Sequence, residues 1–194
     1  MVRGYTFYIG LPTILASEPF NLQPLPNYNY LYQKKVIRPA TYDDLEFINE
    51  IYNLAIQSGI STADTEAITM KERKRWFKKH KPDQYPVFVA EQDGRVVGWI
   101  SISAYRPGRK ALRFTKEVSY YIHPEYQQKG MGSALMEFII KNASQYDAKI
   151  LLAMLLQQNT ASIKLLKKYG FKGFIVKPYN IEKLNEILNT VLNK

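Results

Sequence analysis

The stretch EVSYYIHPEYQQKGMGSALMEFIIKNA, Glu117 to Ala143, changes character at its middle. Its first six residues carry the β-branched and aromatic pattern of a strand, His123-Pro124 stops that pattern, and Gly130-Met131-Gly132 opens a run with the apolar spacing of a helix. A strand handing over to a helix through glycines turns backbone N–H groups outward, where the helix N-terminus adds partial positive charge. Glycine lets an anion approach the main chain that a side chain would block. The loop lacks the Lys-Ser/Thr ending of a P-loop, and Leu135 stands where a dinucleotide fingerprint needs its third glycine. An anion is expected here, but not by either of those two routes.

The surrounding elements predict an α+β fold. A short β-type run from Lys35 leads through a proline turn to a helix that Thr41 caps, with Leu45, Ile48, Ile51, Tyr52 and Ala55 on its buried face. A basic helix follows, and then YPVFVAEQDGRVVGWISISAY reads as a hairpin turning at Asp93-Gly94. FTKEVSYYIHP is a further strand, Gly130 to about Tyr146 a helix, AKILLAMLL a buried strand, and Thr160 to Lys168 a helix ended by Gly170. The order defines a mixed central sheet flanked by helices, with one strand-helix-strand crossover between Val118 and Leu156. Residues 1–34 are expected to be an N-terminal arm or extension, and Glu18 to Tyr32, with three prolines and no regular period, a linker or draped segment. The main domain is expected over 35–176, and 177–194 is expected to be a helix with Ile181, Leu184, Leu188 and Val191 on one face.

Composition limits the chemistry. There is no cysteine among the 194 residues, so disulfides, thiolate nucleophiles and cysteine metal sites are excluded. The two histidines, His80 and His123, do not have metal-ligand spacing, and no metal is expected. No stretch reaches the roughly 20 apolar residues of a membrane span, and Gly10 and Pro12 interrupt the apolar N-terminus, so the cytoplasm is the expected compartment. Of the net charge of +10, +6 lies in KERKRWFKKHK, Lys71 to Lys81. Trp76, Phe77 and His80 recur there at helical spacing, which reads as an amphipathic helix docked by its aromatic stripe with solvated lysines. A nucleic-acid surface on residues 71–81 is the alternative.

QQKGMG, Gln127 to Gly132, resembles the Gln/Arg-x-x-Gly-x-Gly/Ala motif of the GNAT superfamily of N-acetyltransferases, and the element order is similar to that fold. The resemblance implies acetyl-CoA as co-substrate, its pyrophosphate held over Gln127, Gln128, Lys129, Gly130, Met131, Gly132 and Ser133, and its pantetheine arm bonded by the backbone near Ile122. NTASIKLLKKYGFKG is similar to a second segment of the superfamily, which implies that Asn159 contacts the cofactor arm. From Ile37 to Gly173 the chain resembles the phosphinothricin or methionine sulfoximine acetyltransferase branch. That implies a small amine acceptor of the amino-acid type, a homodimer, and a Thr-x-Glu-x-Ser segment at Thr115, Glu117 and Ser119 whose Glu117 is the catalytic base.

Elementary chemistry agrees with a base. An α-amino group with a pKa of about 8 is mostly protonated at neutral pH and must lose a proton before it can attack a thioester. Glu117 also suits a salt bridge with Arg113 or Lys116, and the residues alone do not separate the two readings. Arg109 and Arg113, with Arg106 behind them, are candidates to grip an acceptor carboxylate through a guanidinium fork. Tyr121 is a candidate pocket wall; Tyr120 beside it must face the opposite side of the sheet.

The chain departs from the family pattern at three places. Leu166 stands where the family often has a histidine or tyrosine acid, and Leu112 replaces its tyrosine before the base segment. After Gly170-Phe171 a helix is expected in place of the family's last strand, leaving a sheet edge to be covered by the N-terminal arm or a partner. These departures sustain a rival reading, a non-catalytic acetyl-CoA-binding or nucleic-acid-binding protein.

Overall fold

The computed structural model describes residues 5–10, 30–32 and 35–176, with side chains described for 35–172. Eight strands and four α-helices follow in the order β1 (Tyr5–Gly10), β2 (Tyr30–Tyr32), β3 (Lys35–Pro39), α1 (Leu45–Gln57), α2 (Met70–Lys79), β4 (Val87–Gln92), β5 (Arg95–Ala104), β6 (Thr115–Ile122), α3 (Met131–Asn142), β7 (Ile150–Leu156), α4 (Thr160–Lys168) and β8 (Lys172–Val176). They build one mixed sheet in the order β2-β3-β4-β5-β6-β7-β1-β8. Among the described strands only β6 and β7 run parallel, joined through α3.

Local chemistry explains the boundaries. Asp93 and Gly94 both have positive φ, 53° and 77°, as the tight turn between β4 and β5 requires. Thr69 caps α2 and Glu72 reaches back to it, a complete capping box. Before α1, a turn of 3-10 helix over Tyr42–Asp44 holds the Asp44 carboxylate against Thr41 and Arg38. The Arg38 guanidinium, bonded also to Glu91, keeps that carboxyl below its ordinary pKa despite burial.

Alternation along the central strands gives the sheet two apolar faces. Ile100, Ile102 and Val118 pack under α3 with Leu135, Ile139 and Leu166, while Val89, Val96 and Trp99 pack under α1 with Leu45, Ile48 and Ile51. Trp76 and Phe77 of α2 dock on the second face, so the basic helix is held by its aromatic stripe.

The ends of the sheet correct the sequence expectations. Lys172–Val176 is a strand, so a strand does follow the Gly-Phe segment; the helix expected over 177–194 lies outside the described residues. β1 enters the sheet between β7 and β8, antiparallel to both, with Tyr5 opposite Leu156 and Thr6 opposite Val176. The N-terminal segment thus supplies an interior strand, and β8 forms that end of the described sheet. Tyr30–Tyr32, expected in a draped linker, pairs with β3 as the outermost strand. Three residues are too few to show a strand period in the sequence.

Candidate functional site

The site begins where β6 and β7 part. Their pairing runs only from Thr115 opposite Ile150 to Glu117 opposite Leu152. Beyond that, β6 stays paired to β5 as far as Ile122, and β7 stays paired to β1 as far as Leu156. The facing edges of the two strands are left without each other, and peptide groups that a closed sheet would satisfy can bond a ligand. A cleft of about 430 Å³ opens in this fork, lined by Val118 to Ile122, by Ala153 to Leu155, and by the starts of α3 and α4.

At one end stands the glycine turn. Gly130 adopts a left-handed conformation, φ 78°, and caps α3. Ala134 is the first residue of the helix to bond back, to the Gly130 carbonyl at 3.0 Å, so the N–H groups of Met131, Gly132 and Ser133 have no intrahelical acceptor. Lys35, far away in sequence on β3, bonds the Lys129 carbonyl through its ammonium at 2.5 Å and adds a cation beside the turn. A Cβ on Gly132 would lie 3.1 Å from Leu165 and 3.9 Å from Tyr120, so only glycine leaves that space at the cleft wall free. Free backbone donors, a nearby ammonium and an extended cleft with apolar lining fit a phosphorylated cofactor with a long arm.

The residues singled out from the sequence divide. Ile122, Gln127, Gln128, Gly130, Gly132, Ser133 and Asn159 all line the cleft. Met131 does not; its side chain is 1% exposed in the core. Lys129 is exposed, its ammonium over the Tyr126 ring. The Ile122 carbonyl accepts from Gln127 Nε2 at 3.3 Å, and Asn159 caps α4 by accepting the Ser162 N–H at 3.1 Å, which leaves its side-chain amide N–H₂ free of that bond.

Glu117 is half-buried at the apex of the fork, and burial raises its pKa above the ordinary carboxylate value. Among the described residues it makes no salt bridge, with Arg113 and Lys116 included. Lys116 points its ammonium over the Tyr85 ring, 4.6 Å away. Arg109 and Arg113 lie exposed on the loop before β6, and Arg113 stacks over Phe114 at 4.2 Å while donating to the Lys110 carbonyl. Neither lines the described cavities.

On the α1 and α2 side of the sheet a second cavity, about 230 Å³, lies under Arg73, Trp76 and His80 and shares Ser119 and Tyr121 with the first. Tyr121 packs edge-on against Tyr52, centroids 4.8 Å apart, and its hydroxyl pKa is pushed up by burial. Tyr120 faces the other way, into the cleft beside α4. Its buried hydroxyl has no hydrogen bond of good geometry, although Ser162 is near enough to oppose the upward push of burial on its pKa. Leu166 is fully buried in the core and Leu165, its neighbour, lines the cleft. The sequence reading missed Lys35, Arg73 and Ser162. For Arg73 a signal existed, because it stands three, four and seven positions before Trp76, Phe77 and His80, on their helical stripe.

A forked sheet with a glycine-opened helix at its mouth is the cofactor cleft of an acyltransferase, and the comparisons name which kind. Residues 47–171 match the model of the acetyltransferase (GNAT) family. The chain is 33% identical over 135 residues to the L-methionine sulfoximine/L-methionine sulfone acetyltransferase of Salmonella typhimurium, covering 70% of this chain and 78% of that one. It is also 33% identical over 135 residues to the L-amino acid N-acyltransferase MnaT of Escherichia coli, with the same coverage. Among solved structures, a GNAT superfamily phosphinothricin acetyltransferase from Sinorhizobium meliloti in complex with acetyl-CoA matches with a TM-score of 0.64 and 29% identity, over 71% of this chain and 74% of that one. The chain belongs to the GNAT acetyltransferase family. It is an acetyl-CoA-dependent N-acetyltransferase.

Proposed function

We propose that the chain acetylates the amino group of a small amino-acid-like compound of the phosphinothricin or methionine sulfoximine type, by direct transfer without a covalent enzyme intermediate. The observation that carries this reading is the position of Glu117, at the last paired rung before β6 and β7 separate and next to Val118, where the lining of the cofactor cleft begins. The relatives named above act on compounds of this class.

Acetyl-CoA supplies the activated acetyl thioester. The chain's residues do the rest. The N–H groups of Gly130 to Ser133 and the Lys35 ammonium hold the pyrophosphate end, the open edge of β6 from Val118 to Ile122 bonds the arm, and the Asn159 amide donates to it. Glu117 accepts the proton that the acceptor ammonium must lose, and a raised pKa makes it a stronger base than an ordinary carboxylate. Leu166, buried in the core, donates no proton, and a thiolate whose conjugate acid resembles cysteine, with a pKa of about 8.5, can take one from solvent. The absence of cysteine accords with direct transfer.

Residues 35–176 form the catalytic domain in this reading, together with β1 and β2 of the N-terminal extension 1–34, which belong to its sheet. No described helix is long and apolar enough to cross a membrane. A cytoplasmic homodimer is part of the same proposal and rests on the resemblance to the branch. Thermal melting with acetyl-CoA, followed by thiol release across amino acids, their amides and simple amines, tests the proposal. Stabilisation with release on small amino acids is expected. Stabilisation without release from any amine, or salt-sensitive nucleic-acid binding without stabilisation, overturns it.

A further inference from the structure

Arg73 is a buried cation with no ion pair among the described residues. It is 3% exposed, no carboxylate lies within salt-bridge distance, and Asp64 acts on it only from farther away. Its Cζ lies 4.7 Å from the Tyr52 ring centroid, 4.7 Å from that of Trp76 and 5.6 Å from that of Trp99. Its one hydrogen bond runs from Nε to Asn49 Oδ1, at 3.3 Å, so the terminal nitrogens have no acceptor among the described residues. Aromatic faces offset part of the desolvation of a guanidinium, but they do not satisfy its fork of N–H donors.

The cavity beside it repeats that surplus of donors. Trp99 Nε1–H, buried, has no acceptor among the described residues. Both lining carboxylates are engaged: Asp64 accepts from the Tyr52 hydroxyl at 2.6 Å, and Glu72 from the Thr69 N–H and hydroxyl at 2.9 and 2.6 Å. His80 Nδ1 lies 2.9 Å from the Trp76 carbonyl and therefore carries the proton, leaving Nε2 as an unpaired acceptor. A group bearing two oxygens and a negative charge would answer Arg73 and Trp99 together.

The cavity also lies where an acceptor must go. It is lined by Ser119, which also lines the cofactor cleft, and by Ser103, which stands opposite Glu117 in the β5–β6 ladder. We infer that Arg73, with Trp99 Nε1–H, holds an oxyanion of the acceptor amino acid, its α-carboxylate or an acidic side-chain group, and so favours acceptors that carry such a group over amines that carry none. This rests on the acetyltransferase reading for the reaction, but the binding it describes can be measured without turnover.

The protein contains two tryptophans, Trp76 and Trp99, and both line this cavity, so their emission reports occupancy. Glutamate, glutamine and isoglutamine, titrated against the full chain with coenzyme A present, separate a side-chain carboxylate from an α-carboxylate. Glutamate is expected to change the emission saturably, and the amide that removes the gripped carboxylate to bind more weakly. Arg73→Lys, which keeps the charge but loses the fork, is expected to weaken glutamate binding on the order of 10- to 100-fold. It should also bring the ratio of kcat/KM between glutamate and an uncharged amine toward one. Trp99→Phe, which keeps a ring and loses the N–H, should weaken binding in the same direction and carries the test should Arg73→Lys fail to fold. An unchanged glutamate affinity in the folded variant, or an equal loss for the uncharged amine, overturns the inference. Arg73-dependent glutamate binding with no thiol release from any amine would instead leave this site standing and remove the catalytic reading.

Discussion

Glu117 of β6 faces Leu152 of β7 across the last rung of the parallel ladder, and the next residues of the two strands border a cleft instead of each other. The base candidate is therefore fixed by a paired backbone at the point where the pairing ends. Glu117→Gln should lower kcat about 100-fold or more, as loss of a general base does. Acetyl-CoA affinity, measured by titration calorimetry, should stay within about twofold, because the cofactor handle lies at the other end of the cleft. Unchanged turnover would remove Glu117 from the chemistry.

The same carboxyl makes a pH prediction. Burial raises its pKa, so the folded state favours the protonated form. A raised acid contributes stability that is full below its unfolded-state pKa and is lost as pH rises through its folded-state pKa. Glu117→Gln should accordingly melt higher than the parent at neutral pH and no higher below about pH 4, where the unfolded-state carboxyl is protonated too. In wild type, kcat/KM should rise with pH along an acidic limb centred above the ordinary carboxylate range, and that limb should vanish in the variant. Melting curves and pH–rate profiles on the two proteins check both statements.

The two glycines of the turn should fail differently. Gly130 has φ 78°, so Gly130→Ala strains the backbone at a cost of about 1 kcal/mol, a fall in Tm of roughly 2–4 °C. No positive φ constrains Gly132, but its substitution by alanine drives a methyl to 3.1 Å from Leu165, at the wall of the cleft. Gly132→Ala should leave Tm nearly unchanged and weaken acetyl-CoA binding roughly tenfold, about 1.4 kcal/mol. Equal affinity in the two proteins would show that the cleft tolerates the methyl.

How far the sequence reaches is visible at these residues. Gln127 to Ser133 and the hairpin at Asp93-Gly94 were legible because glycine and turn chemistry are local, and their meaning does not depend on distant partners. Arg109 and Arg113 drew attention by standing near Glu117 in the chain, yet they lie exposed before the strand begins. The arginine under the sheet comes from α2, inside a charge run whose count conceals that one of its cations shares the aromatic stripe. The strand after Gly170-Phe171 was not legible, and the N-terminal arm was expected to cover a sheet edge. That Tyr5–Gly10 instead enters between β7 and β8 could not be read, because a strand's propensity does not name a partner some 150 residues away.

That strand gives the last prediction. β1 is an interior strand, paired through Tyr5 to Gly10 with β7 and through Thr6 to Ile9 with β8. Removing residues 1–10 would strip both neighbours of their ladder and expose two unpaired edges, a template for association with other chains. The truncated protein should melt at least ~10 °C lower, given roughly 2–4 °C per kcal/mol at this size. It should also form larger species in size-exclusion chromatography coupled to light scattering. Acetyl-CoA binding should weaken as well, because β7 forms one arm of the fork and would be braced on one side only. A synthetic peptide of residues 1–10 should restore part of the melting temperature by adding a strand at the vacated position. A truncated protein that melts and binds acetyl-CoA like the full chain would show that β1 does not hold the fork open.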